Sequence, residues 1–381
     1  VTKEIAISNS APQHARTVNL SKWLLARGSW FYAGSILIIC LVKYGVGVFP
    51  SWNYMQALAV NWRSPHSSSL LAFTGTYQLA SPASSLLAGW FHLTGNSAFL
   101  GFHFVLVCVA LSVPFAMPVV RENERLRLLV ALLIVGSAIP SLLLSWVGSY
   151  DPVSIIAASI AVLARRQWVS TLAWLVFAFN NGFEAIVAGA IVCVIVYFDE
   201  PRGINSRVIG PLLGITYGYV GIQLLDRHWG SSISQFSFYE QNGFHRYLVG
   251  AIDYWPIIIA SALGVGWVFL ASNEARHLPA VRCCLVLAIL ATLVVPIVAL
   301  DETRVTASIM WAPLLFVATC CVREIEAKDM NKLLRRLIPF ALVMILVVAW
   351  DGSLVYAGWH GASNFVGYLF LHHSIPTAAL P

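Results

Sequence analysis

The sequence predicts an all-α fold, a polytopic integral membrane protein of about 11 transmembrane helices that include a short broken hairpin. Three observations predict it. The chain is 59 % hydrophobic and only 10 % charged, where a soluble domain is about 25 % charged, and its mean hydropathy is +0.76. Apolar runs near spanning length alternate with short polar connections. Finally, threading the chain through a bilayer puts 18 of the 23 lysines and arginines on one side, a bias that marks that side as cytoplasmic. Residues 1–28 are then a cytoplasmic tail, and 29–350 a single transmembrane domain with external loops at 50–95 and 226–255. Residues 351–381 form an external tail.

Taken in order, the first span runs over residues 29–48, after a polar tail with no apolar core that a signal peptidase would need. It serves as an uncleaved signal anchor. The loop 50–95 contains no acidic residue, and Trp90, Phe91 and His92 predict an interfacial helix over 79–93. The second span, 96–119, returns to the basic cluster around Arg121, Arg125 and Arg127. The third, 128–147, ends at Gly148-Ser-Tyr-Asp-Pro152, and a short fourth returns to Arg165 and Arg166. Residues 168–179 and 185–198 flank Asn180-Asn-Gly-Phe-Glu184. Each flank falls short of the roughly 20 residues a crossing needs, which predicts a hairpin of short or tilted helices. Spans over 208–225, 256–271, 283–300, 305–322 and 337–350 complete the chain.

The net charge of +6 comes largely from arginines anchoring loops at an anionic leaflet, so nucleic acid is not an expected partner. The seven cysteines lie within or at the edges of apolar spans and read as packing residues, and no metal site is expected. His372 and His373 alone do not make one. No Gly-rich phosphate loop, His-Glu-x-x-His or Gly-x-Ser-x-Gly is present.

Five cations fall on the external side: Lys43, Arg63, Arg227, Arg246 and Arg304. Around them lie the groups that could carry chemistry. Glu184 sits beside a helix break among apolar helices, where a carboxylate is costly to keep and is a functional candidate. Its alternative is pairing with a cation, or with backbone donors at a helix start. Asp151, behind Trp146 and Tyr150, is either a helix cap or a second catalytic carboxylate. Asp301 either clasps Arg304 at i,i+3 or orients it toward a cavity. Asp226-Arg227-His228-Trp229 and His245-Arg246-Tyr247 either form an ordinary solvated loop with charges at an interface or suit a phosphate-bearing ligand, because guanidinium grips phosphate bidentately and aromatic rings pack on sugars.

The mouth motif Gly148-Ser-Tyr-Asp-Pro152, the motif Asn180-Asn-Gly-Phe-Glu184 and the exit motif Asp301-Glu-Thr-Arg-Val305 resemble those of bacterial polytopic proteins of surface-polysaccharide assembly. These are the O-antigen and exopolysaccharide polymerases and, more distantly, the lipid-sugar-dependent glycosyltransferases of the C superfamily. The resemblance implies a glycosyltransferase of the polymerase type in the inner membrane, acting at the periplasmic face on polyprenyl-(pyro)phosphate-linked sugars. The partners it implies are a polyprenyl-linked donor, a glycan acceptor, the bilayer and other assembly proteins. No cofactor is expected, and a divalent metal is left open. Glu184, Asp151 and Asp301 would be the catalytic carboxylates, Arg227, Arg246 and Arg304 the phosphate ligands, and Trp146, Tyr150, Trp229, His228 and His245 the sugar contacts. One departure matters: the C superfamily places a catalytic acid in the first external loop, and residues 50–95 have none.

The rival class is a secondary transporter or lipid-linked-oligosaccharide flippase, which should show paired helix breaks in two halves. A third is a non-catalytic subunit, which would present small-residue faces such as Ala188-Gly189-Ala190 and 214–221 to a partner.

Overall fold

The computed structural model describes residues 20, 23–49, 51–65, 79, 81–199, 206–229, 260, 262–298 and 302–346. These residues are helical, and the one extended pairing among them is an isolated parallel bridge from Val48 to Val147. The helices are α1 (Ser29–Tyr44), α2 (Trp52–Val60), α3 (Ala83–Trp90), α4 (Asn96–Ala116), α5 (Pro118–Arg121), α6 (Glu124–Val135), α7 (Ile139–Ser145) and α8 (Asp151–Leu163). They continue with α9 (Gln167–Asn180), α10 (Gly182–Asp199), α11 (Ser206–His228), α12 (Val265–Ala271), α13 (Pro279–Val298), α14 (Glu302–Glu324) and α15 (Ala327–Leu346).

Four of these, α4, α10, α11 from Arg207 and α14 from Arg304, are long and apolar enough to cross a membrane. The pair α6–α7, bent by 55°, makes five if it is one span. Among the described residues the expected total of about 11 is therefore not reached. The reason is helix length. Expected spans three to five are built from helices of 12 and 7, 13 and 14 residues. At 1.5 Å per residue the longest covers roughly 20 Å of a hydrocarbon core of about 30 Å.

The second arm of the hairpin departs from expectation in the other direction. It starts at Gly182 and runs 18 residues, so Glu184 stands in the first turn of a full-length span. Helix α15 likewise begins well before residue 337, because its first half buries Met330, Leu333, Leu334 and Leu337 on one face and is polar on the other. An apolar-run criterion misses such an amphipathic start. A helix does form within 79–93, α3, with Trp90 exposed at its last position and Phe91 exposed just after it.

The bundle is organised around α14. Of its spanning window 89 % is buried, against 28 % for α11, and α6, α8, α10 and α13 pack on it. A helix apolar all round and enclosed by protein is a core helix. Its direction matches that of α8, since Arg304 reaches Asp151 near one end and the Trp311 indole donates to Ser159 Oγ (2.9 Å) further down.

Helix α11 lies against α9 along Gly210, Gly214 and Gly218. A Cβ on Gly214 would stand 2.4 Å from the Thr171 carbonyl oxygen, and one on Gly218 would stand 2.3 Å from that of Leu175. This is the small-xxx-small contact that lets backbones approach. Gly189 meets Ile215 and Ala188 is fully buried. The small-residue faces that a partner subunit could have used are thus largely occupied inside the chain.

Candidate functional site

Three helix starts converge on one point. Asp151 is the first residue of α8, Glu184 lies in the first turn of α10, and Arg304 lies in the first turn of α14. Local sequence places each. Gly148, at φ +101°, turns the chain between Trp146 and Tyr150. Asp151 and Pro152 then open α8, where proline's missing N–H costs nothing. Asn181 ends α9, and its Oδ1 accepts from the Glu184 N–H (3.2 Å), the geometry of an N-cap for α10. Asn180 anchors the other side of the break, its Nδ2 donating to the Tyr150 carbonyl and to Ser154 Oγ, both at 2.9 Å.

Arg304 Nη1 donates to Asp151 Oδ1 at 2.7 Å and stands 3.8 Å from Glu184 Oε1. The Ser308 hydroxyl donates to Glu184 Oε2 at 2.6 Å. The Trp146 and Tyr150 rings each lie 5.4 Å from the guanidinium carbon. Asp151 is 0 % exposed, Glu184 1 % and Arg304 2 %. A cation in the first turn of a helix is unfavourable against the dipole, whereas carboxylates at helix starts are favoured. The two carboxylates therefore hold Arg304 where its own helix would not, and aromatic faces add cation–π attraction.

The carboxylates are not equivalent. Both Glu184 oxygens face a donor, Arg304 or Ser308. Asp151 Oδ2 is buried and accepts no hydrogen bond among the described residues, and the same holds for Asn180 Oδ1 and Thr306 Oγ1. Unused acceptors in a dry site are costly and mark where a ligand or water would bind.

The structure thus joins Asp151, Glu184, Arg304, Trp146 and Tyr150. The two aromatics, expected as sugar platforms, are 6 % and 2 % exposed and stack over the guanidinium. Arg227 and His228 are exposed on the last turn of α11. Trp229 is buried against Leu58 and Leu79, in a cluster distinct from that of Trp146 and Tyr150, so it packs rather than offers an open platform. Asp301, His245 and Arg246 lie outside the described residues, as do His372 and His373. Of the remaining external cations, Lys43 donates to the Met344 carbonyl in the last turn of α15, a structural use at a negative helix end. Arg63 stands elsewhere.

Ser308 and Asn181 had no role assigned from sequence. Ser308 follows Arg304 at i,i+4 on one helix face, a spacing that could have marked it. Among the described residues no group of three His, Cys, Asp or Glu side chains converges as a metal site. The fold and site define an all-helical protein with four to five candidate membrane spans and a buried carboxylate–guanidinium centre. Comparison with protein families, curated proteins and solved structures finds no match.

Proposed function

We propose that this protein is a membrane glycosyltransferase of the polymerase type, acting at the periplasmic face of a bacterial inner membrane on polyprenyl-(pyro)phosphate-linked sugars. The N-terminus is cytoplasmic and the C-terminus periplasmic in this reading, with the centre at Arg304 toward the outer leaflet. The observation that carries it is Asp151, a buried carboxylate with one oxygen fixed by Arg304 and the other unpartnered. That arrangement suits a general base. Asp151 Oδ2 takes the proton as the acceptor sugar hydroxyl attacks the anomeric carbon. The bond from that carbon to the phosphate oxygen breaks, and the lipid pyrophosphate leaves with the electron pair. Arg227, Arg246 and Arg304 supply positive charge for the leaving group. Glu184 positions Arg304, and Asp301 stands as a further carboxylate near it in sequence.

The test is the chain-length distribution of the host's surface glycan. Asp151→Asn is expected to abolish long chains, and Glu184→Gln to shorten the distribution. Normal glycan from an Asp151→Asn protein that accumulates at wild-type level would sink the proposal.

The transporter or flippase reading is favoured by two observations. The charged centre is enclosed on every side by protein. A second break also exists, the bend between α6 and α7, where the Val265 N–H donates to the Gly136 carbonyl (2.8 Å) beside Gly264 at φ +53°. Proteoliposomes separate the two: transbilayer movement of a fluorescent polyprenyl-phosphate sugar without formation of a new glycosidic bond would replace the enzyme reading.

A further inference from the structure

Residues 50–95 hold seven Phe, Trp and Tyr residues and no acidic residue. Within that stretch α2 and α3 enclose a recess of about 620 Å³, lined by Asn61, Trp62, Arg63, Trp90, His92 and Thr94. The two helices touch closely, because Gly89 lets its backbone approach: a Cβ there would stand 2.5 Å from the Ala59 carbonyl oxygen and 2.9 Å from Trp62 Cδ1. His92 adopts φ +56°, a left-handed conformation uncommon for a residue with a side chain. The turn it makes leads from the end of α3 through Thr94 to the start of α4.

The electrostatics of the recess are one-sided. Arg63 lies over the Trp62 ring at 5.1 Å, is exposed, and has no ion pair or hydrogen bond with a described residue. His92 is exposed beside it. The adjacent α4 is 21 residues long and has no side-chain cap at Gly95, so its dipole and first N–H groups add positive potential. Gln56 Nε2 fixes that corner by donating to the Thr94 carbonyl (2.7 Å) and Asn96 Oδ1 (2.8 Å). Among the described residues no carboxylate lines the recess. Its edge is apolar: Trp90 is 71 % exposed and Phe91 60 %. A recess lined by Arg63 and His92 beside exposed aromatics suits a molecule with an anionic head and a hydrocarbon tail.

We propose that this recess binds a phosphate-bearing amphiphile, with the phosphate against Arg63 and His92 and the chain lying over Trp90 and Phe91. The proposal does not rest on the reaction assigned to Asp151. Lipid phosphates and lipid-linked sugar phosphates share the required chemistry, so the shared head is the claim.

The experiment is calorimetric titration of the full chain in a neutral detergent with dodecyl phosphate, dodecanol and inorganic phosphate. Wild type is expected to bind dodecyl phosphate saturably and more tightly than either of the others. Arg63→Ala should weaken it roughly tenfold, the scale of one charge-assisted contact, with the melting temperature unchanged. Arg63→Lys should recover part of the loss, and Trp90→Ala should weaken dodecyl phosphate while leaving inorganic phosphate unaffected. Wild-type affinity in Arg63→Ala would overturn the proposal. So would dodecanol binding as tightly as dodecyl phosphate, or inorganic phosphate matching it.

Discussion

The two ends of the bundle use charge in opposite ways. At one end Asp151, Glu184 and Arg304 are enclosed, two carboxylates sharing one guanidinium at 0–2 % exposure. At the other, every ion pair has a cation that reaches water, Arg165, Arg323, Lys332 and Arg336 being 45–59 % exposed. Arg165 pairs with Glu122, with side chains 54 % and 51 % exposed. Arg323, 45 % exposed, reaches Asp199 at the end of α10, and Lys332 and Arg336 of α15 hold Glu274, each carboxylate being 3 % exposed. The Arg165–Glu122 pair gains little because solvent already satisfies both charges and salt screens them. The enclosed centre has no such alternative, so every member depends on the others. A protein that places charge where it is expensive, beside unused acceptors, has that region as its candidate site, and the opposite end as its anchor.

The comparison breaks most directly at Arg304. Arg304→Met leaves two buried carboxylates without their cation, and unfolding in detergent is expected to become easier by about 3–5 kcal/mol. Thermal melting of purified protein, or loss of folded yield, measures it. The triple variant Asp151→Leu, Glu184→Met, Arg304→Met sharpens the point, because apolar replacement of a whole buried network is often neutral or stabilising. Its melting temperature should return toward wild type while function stays lost, which separates the cost of the network from its use. A triple variant as unstable as Arg304→Met would mean that shape, not charge, is what α14 needs at this level.

A smaller effect is expected from Trp311→Phe, which leaves the Ser159 hydroxyl without its indole donor and should cost about 1 kcal/mol in the same melting measurement. At the water-facing end, Glu274 supplies a pH signature. Burial by itself would raise its carboxyl, but the close Lys332 ammonium and the charge of Arg336 outweigh it and hold the carboxyl below its ordinary value. A carboxyl lowered on folding stabilises the fold above its unfolded pKa, and that contribution is lost as pH falls through the folded value. Melting temperature should therefore drop through the acidic range in wild type and drop less in Glu274→Gln. The smallest effect belongs to Arg165→Ala, expected to cost about 0.5 kcal/mol or less at low salt and nothing measurable at high salt.

Much of the site was legible from single residues. Glu184 and Asp151 stood out because carboxylates beside helix breaks in apolar sequence need a reason, and Arg304 because external cations were so few. Their partnership was not legible: 153 positions separate Arg304 from Asp151, and no local pattern joins residues that distant. Glu184 shows the same limit: its sequence leaves pairing with a cation or with helix-start backbone donors open, and the structure sets its carboxylate against Arg304 and Ser308. Trp146 and Tyr150, expected as sugar platforms, are instead buried with their rings against the Arg304 guanidinium, a role no local pattern shows. The span count, not reached among the described residues, has a physical reason too. Apolar runs register hydrophobicity, while bends such as that at 136–138 and amphipathic starts such as that of α15 depend on which neighbour packs there.

The sequence by itself determined the all-helical class, the presence of apolar helices of membrane-spanning character, and the residues at which polarity interrupts them. Those are properties of composition and of short-range pattern, and they survive whatever the helices do to one another. Only the tertiary structure decided that three helix starts meet, that α14 runs through the centre, and that one guanidinium serves two carboxylates. Desolvation is the reason. Whether a charge is enclosed, and by what, depends on distant segments coming together, and the energy that makes this centre distinctive exists only once water has been excluded from it.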